Sequence, residues 1–209
     1  MDKTTPAFFY PNRMGRMILL GMEEVIGRNG LNAVLNLAEL PEYINNIPPH
    51  NQDLNIPFET ISRLQCALEN VYGPRGGRGV ALRTGRSCFK YGLHEFGPEL
   101  GITDLAFRLL PLATKLRIGS EAFAGLFNHF THQKVRIESD DRYIQWIIER
   151  CPLCWERHTD DSACHLAVGL LQEALYWVSG GKIFMVEETQ CIARGDIACT
   201  ILIDQNPMN

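Results

Sequence analysis

Seven cysteines occur in this chain of 209 residues, and five of them fall between positions 151 and 199. An odd total does not complete a disulfide framework, and clustered thiols are soft metal ligands. Cys164 opens the apolar stripe Cys164, Ala167, Val168, Leu171 and Leu175, which has helical spacing. A cysteine in a first helical turn faces the positive end of the helix dipole, and that favours the thiolate. Asp161 or Ser162 can cap the helix. Glu188 shares a strand face with Phe184 and Val186. A carboxylate on such a face is costly unless a charge or a metal satisfies it. Cys199 alternates with Ile201 and Ile203, and Cys191 stands just before a hairpin turn, so the two cysteines can come opposite each other. The pattern Cys164-x23-Glu188-x2-Cys191-x7-Cys199 offers three thiolates and one carboxylate. Four protein ligands of this kind suit tetrahedral zinc in a closed, structural site. Taken singly, each cysteine would be read as a small core hydrophobe.

Other residues carry weaker signals. Cys151-Pro152-Leu153-Cys154 is a pair that could bind a second metal, replace Cys164 in the first site, or act as a redox couple. A Cys-Pro dipeptide also suits haem iron, and a tight turn with two buried thiols needs no chemistry at all. His165 could hydrogen-bond behind a metal ligand or simply pack. Arg75, Arg78, Arg83, Arg86 and Lys90 form a run without acids that suits an anionic ligand or a solvated helix face. The glycines at 73, 76, 77 and 79 make neither a dinucleotide fingerprint nor a P-loop. Arg194-Gly195-Asp196 is turn chemistry. Phe107, Phe123, Phe127, Phe130, Tyr143 and Trp146 precede the cysteine segment and can line an apolar pocket or fill a core. Phe123, Phe127 and Trp146 are the candidate ligand-binding residues.

The elements that would position these groups run helices first and strands afterwards. A helix is expected from about Arg13 to Leu40, closed by Pro41, followed by a loop over 41–57. A second helix is expected over Phe58–Tyr72, stopped by Gly73-Pro74, with a glycine-rich loop after it. An apolar helical region follows over Leu105–Phe130, interrupted near Pro111 and Gly119. Strands are expected at Lys134–Glu138 and Asp141–Ile148, then a helix from Ala163 to Val178, then strands Lys182–Ile192 and Ile197–Asp204. This order implies an α+β fold, with N-terminal helices packed on a mainly antiparallel sheet. The length suggests a single domain over 1–209, helical to about residue 132.

Composition narrows the function classes. Hydrophobic residues make up 45% and charged residues 21%, an ordinary globular balance that argues against disorder. A net charge of −4 gives no reason to expect nucleic acid. No apolar run approaches the roughly 18 residues of a membrane span. The N-terminal stretch lacks the apolar core of a secretory leader, so a cytoplasmic setting with reduced thiols is expected.

The segment from Cys151 to Ile203 resembles the 4-vinyl reductase domain, with its Cys-His helix start, Glu-x2-Cys, Gly-Asp turn and final Cys; the motif region lies within 144–205. The resemblance implies zinc on Cys164, Glu188, Cys191 and Cys199, and a fold shared with TRAPP trafficking subunits and with the sensor domain of phenol-responsive activators. It also implies a homodimer with a hydrophobic cavity. The function it implies is that of a stand-alone binding protein for a tetrapyrrole or an aromatic molecule. Its alternatives are a vinyl reductase or accessory subunit of bacteriochlorophyll synthesis, and a TRAPP-like structural partner. No nicotinamide or flavin fingerprint supports the reductase.

Overall fold

The computed structural model describes residues 7–98 and 104–208. Residues 1–6, part of the stretch read above for a leader, lie outside the described residues, as do 99–103 and 209.

A short strand, β1 (Phe9–Pro11), leads directly into helix α1 (Asn12–Leu37) and pairs antiparallel with β2 (Leu54–Pro57). α1 ends three residues earlier than the sequence suggested, and Pro41 opens a single 3-10 turn, Pro41–Tyr43. The expected loop over 41–57 therefore contains both that turn and β2. Helix α2 (Phe58–Phe96) begins where expected, and its first segment breaks at Gly73 as expected, but a second helical segment follows at once. Gly73 adopts φ 71° and ψ 167°, a conformation open to glycine, and bends the helix. Pro74 then starts the next helical segment, because its fixed φ suits a first turn and its missing N–H leaves no donor unsatisfied. The expected glycine-rich loop is therefore helix.

α3 (Leu105–Arg108) and α4 (Leu112–Phe130) are separated at Pro111, as expected, while Gly119 lies within an unbroken α4. The strands β3 (Lys134–Ser139) and β4 (Tyr143–Arg150) form a hairpin. After helix α5 (His165–Ser179) come β5 (Val186–Gln190) and β6 (Cys199–Asp204). The four-stranded sheet has the order β3-β4-β6-β5 and is antiparallel throughout. The α+β reading stands: helices pack on an antiparallel sheet.

Strand alternation decides what faces the helices. Ile144, Trp146 and Ile148 of β4, Cys199, Ile201 and Ile203 of β6, and Val186 and Glu188 of β5 are all buried. Trp146 pairs with Ile201 and Ile148 with Cys199. That register brings the start of β6 beside the end of β4, and so beside Cys151.

Two glycines set the distance between α2 and α5. A Cβ at Gly85 would lie 2.0 Å from the Leu166 carbonyl oxygen, and one at Gly169 would lie 2.0 Å from the Leu82 carbonyl oxygen. The helices cross backbone to backbone, and no other residue fits at either point. Gly85→Ala should therefore destabilise the protein by about 2–4 kcal/mol, read from chemical denaturation. Gly79→Ala, on the same helix but with open space around it, should be neutral or stabilising by up to about 1 kcal/mol.

Candidate metal centre and apolar chamber

The expected ligands Cys164, Glu188, Cys191 and Cys199 converge, and their ligand atoms lie within 4.8 Å of one another. Cys164 is the N-cap residue of α5, and its backbone N–H donates to Glu188 Oε2 at 2.8 Å. Neither Asp161 nor Ser162 caps the helix by its side chain. The carboxylate from β5 takes that place, where the helix dipole favours an anion. Burial nevertheless pushes the Glu188 carboxyl up, and only the hydrogen bonds around it, the Cys164 N–H first, pull it back. Its Oε1 is buried without a hydrogen-bond partner among the described residues.

Cys151 and Cys154 belong to the same cluster. Together with Cys164 and Cys199 they form a second set of ligand atoms, also within 4.8 Å of one another. Cys151 Sγ lies 3.5 Å from Cys164 Sγ, and Cys154 Sγ lies 3.3 Å from Cys199 Sγ. Cys164 and Cys199 are 3.6 Å apart, and Cys199 and Cys191 are 4.0 Å apart. All five thiols are almost wholly buried. The neighbouring thiols, Cys151 first, hold Cys154 well below the usual thiol range and push Cys164 and Cys199 above it. The backbone tightens the hairpin around them: the Ile192 N–H points at Cys199 Sγ at 3.3 Å, and the Cys191 N–H donates to Asp196 Oδ2 at 2.8 Å. Gly195, at φ 96°, makes that turn possible. The sequence offered Cys151 and Cys154 only as a pair of open meaning, because the loop that folds them back carries no motif of its own.

A second feature lies alongside the first turns of α5. Phe123, Phe127 and Trp146, the expected pocket residues, line an apolar chamber of about 80 Å³. Their rings meet at 5.3–6.1 Å between centroids, and such contacts contribute about 0.5–1.5 kcal/mol each beyond area burial. Met14 and Met17 of α1, Cys88 and Phe89 of α2, and Leu166 and Leu170 of α5 complete much of the wall. Sequence reasoning missed Tyr10 and Cys88; only their place at the edge of apolar stripes marked them. The Tyr10 hydroxyl donates to Gln133 Oε1, and burial raises its pKa well above the usual phenol value. Burial likewise pushes the Cys88 thiol up to about 12, and its Sγ points to the Met17 carbonyl oxygen at 3.6 Å.

The basic run is spread along the exposed face of α2. Arg75 and Arg78 border a wide polar cleft together with Arg157, Arg194 and His165, but Glu69, Asp160, Asp161 and Glu187 line it too. The Arg157–Glu69 ion pair at 2.6 Å neutralises part of the charge. His165 faces this cleft, and burial lowers its pKa.

No family model matches the sequence, and no curated protein matches it. Solved structures do match in fold. One, from a study of heme distortion in the H-NOX family, aligns with TM-score 0.60 and 12% identity over 95% of this chain and 97% of its own. An H-NOX protein from S. oneidensis in the Fe(II)NO ligation state aligns at 0.56 and 14%, over 93% and 99%. An oxygen-binding H-NOX domain related to soluble guanylate cyclases aligns at 0.53 and 13%, over 92% and 94%. The fold is that of H-NOX domains.

This likeness overturns the resemblance to the 4-vinyl reductase domain and to TRAPP subunits. That resemblance rested on a local helix–hairpin motif, whereas the fold match spans the N-terminal helices as well. The vinyl reductase and bacteriochlorophyll assignments fall with it, and the homodimer loses its basis. Zinc is corrected too: these relatives are described by heme and Fe(II), not zinc, and the overlapping thiol sets do not select it. Among the described residues, no helix is long and apolar enough to cross a membrane.

Haem, the group implied by these relatives, does not fit the chamber. Pockets for ligands of drug size take about 300–1,000 Å³, and this one is several-fold smaller. No histidine is among its lining residues, and the thiol there, Cys88, is held protonated. Cys151, whose Cys-Pro dipeptide suited haem iron, has its sulfur in the thiol cluster.

Accessibility yields a direct check. Cys66 is exposed and the other six cysteines are buried. A thiol reagent at pH 8 should therefore titrate one cysteine rapidly in the native reduced protein and the rest only after denaturation. Fast native modification of Cys88 or of the clustered thiols would contradict the arrangement.

Proposed function

We propose that the chain is a single small-molecule-binding domain of sensor type, whose ligand is a small apolar molecule held in the chamber between α1, α2, α4, α5 and the sheet. The observation that carries this reading is the chamber itself, apolar and walled by aromatic rings from separate elements. Apolar voids in close-packed interiors stay dry and accept apolar guests. The fold likeness supports a sensor, since one relative is described as an oxygen-binding domain related to guanylate cyclases.

The thiol cluster sits at the other end of the same walls. Ile148 lies three residues before Cys151, Leu153 between Cys151 and Cys154, and Leu166 two residues after Cys164, and all three line the chamber. A thiophilic metal ion on Cys164, Glu188, Cys191 and Cys199 would clamp β5, β6 and the start of α5, and so fix one side of the pocket. Its role is structural, because the protein fills every ligand position.

Xenon is the probe for the chamber. Xenon NMR of the purified protein should show a saturable bound component, and Ala167→Leu, which grows into the void, should remove it while the protein stays folded. Hemin titration should give no shifted Soret band; a one-to-one complex would overturn the small-ligand reading. For the clamp, Cys199→Ser should lower bound metal and reduce the melting temperature by about 5–10 °C. Unchanged metal content and melting would show that Cys199 is no ligand.

A further inference from the structure

The two four-ligand sets share a pair of sulfurs, and this sharing has a chemical meaning. Cys151, Cys154, Cys164 and Cys199 make one set; Cys164, Glu188, Cys191 and Cys199 make the other. We infer that the cluster is a dinuclear thiolate centre, in which two divalent thiophilic metal ions occupy two tetrahedra joined along the Cys164–Cys199 edge. The inference rests on the metal-binding reading above and extends it from one ion to two.

The distances agree with shared tetrahedra. Metal–sulfur bonds of about 2.3 Å in a tetrahedron place the sulfurs about 3.8 Å apart. The separations along the cluster are 3.5 Å for Cys151–Cys164, 3.3 Å for Cys154–Cys199, 3.6 Å for the shared edge and 4.0 Å for Cys191–Cys199. Cys151 and Cys154 come from the loop after β4, whereas Glu188 and Cys191 come from β5 and the hairpin beyond it. The pairs thus come from different elements, and Cys164 and Cys199 are common to both sets.

A single ion accounts for the cluster poorly. Placed in the first set, it leaves Glu188 buried with Oε1 unpartnered among the described residues and Cys191 unused. Placed in the second, it leaves two further thiols, Cys151 and Cys154, packed against sulfur in the interior. Two ions use all six donors. They replace five thiol protons, and their four positive charges offset most of the six negative charges of five thiolates and one carboxylate. The N-terminal end of α5 at Cys164 and the Ile192 N–H on Cys199 stabilise the remainder. A thiolate has lone pairs enough to bridge two metals, and both shared positions are cysteine.

Cadmium titration of the full-length, reduced apoprotein tests the inference. The sulfur-to-cadmium absorbance should rise to an end point of two ions per chain, confirmed by native mass spectrometry. Cadmium NMR should give two distinct resonances, one from an all-sulfur site and one from a site with an oxygen ligand, coupled through the bridging sulfurs. The double variants Cys151→Ser/Cys154→Ser and Glu188→Gln/Cys191→Ser should each stop at one ion. An end point of one in the unaltered chain would overturn the dinuclear centre and leave the single-ion clamp. An end point of zero, or a chain locked by disulfides under reducing conditions, would overturn both.

Discussion

The close crossing of α2 and α5 is the constraint from which the rest of the architecture follows. Helices usually pack at 8–10 Å between axes. Here Gly85 and Gly169 let the backbones touch, which fixes the first part of α5, around Leu166–Leu170, against α2. Its N-terminal end is then delivered to the thiols at the ends of β4 and β6, and its first two turns close the aromatic chamber. A looser crossing would lift Cys164 away from Glu188 and open the chamber in the same movement. The two features are therefore one mechanical unit seen from its two ends.

That coupling gives the thiol cluster a meaning beyond anchorage. The residues that alternate with its ligands are chamber wall: Leu153 sits between two cysteines, and Leu166 follows Cys164 by two positions. On the reading proposed above, metal and ligand would act on the same few side chains, so each would change the free energy of the other by linkage.

Much of this was legible in the sequence, for identifiable reasons. The alternation of Phe184, Val186 and Glu188, and of Cys199, Ile201 and Ile203, gave the buried strand faces because period-two patterning survives tertiary packing. The aromatic residues at 123, 127 and 146 were legible as a group, although nothing local distinguished a chamber from a core. The run after Gly73 was misread because glycine and proline normally punctuate, whereas the approach of α5 requires glycine at Gly85 and Gly77 packs against the backbone of Glu69 across the bend. The family was misread because a short motif of cysteines and turns is local, whereas fold identity lies in long-range packing. That Cys151 and Cys154 join the other thiols was open in the sequence only as one alternative among several, because it depends on the register that sets Cys199 opposite Ile148.

The chamber also has a mechanical consequence. The apolar chamber encloses volume that the folded protein holds and the unfolded chain gives up to water. The native state is thus the more voluminous one, and compression works against it. A guest that fills the void removes that volume penalty and stiffens the wall. On the proposed reading, occupancy would therefore be felt as a change in compressibility of the wall that α5 shares with the thiol cluster.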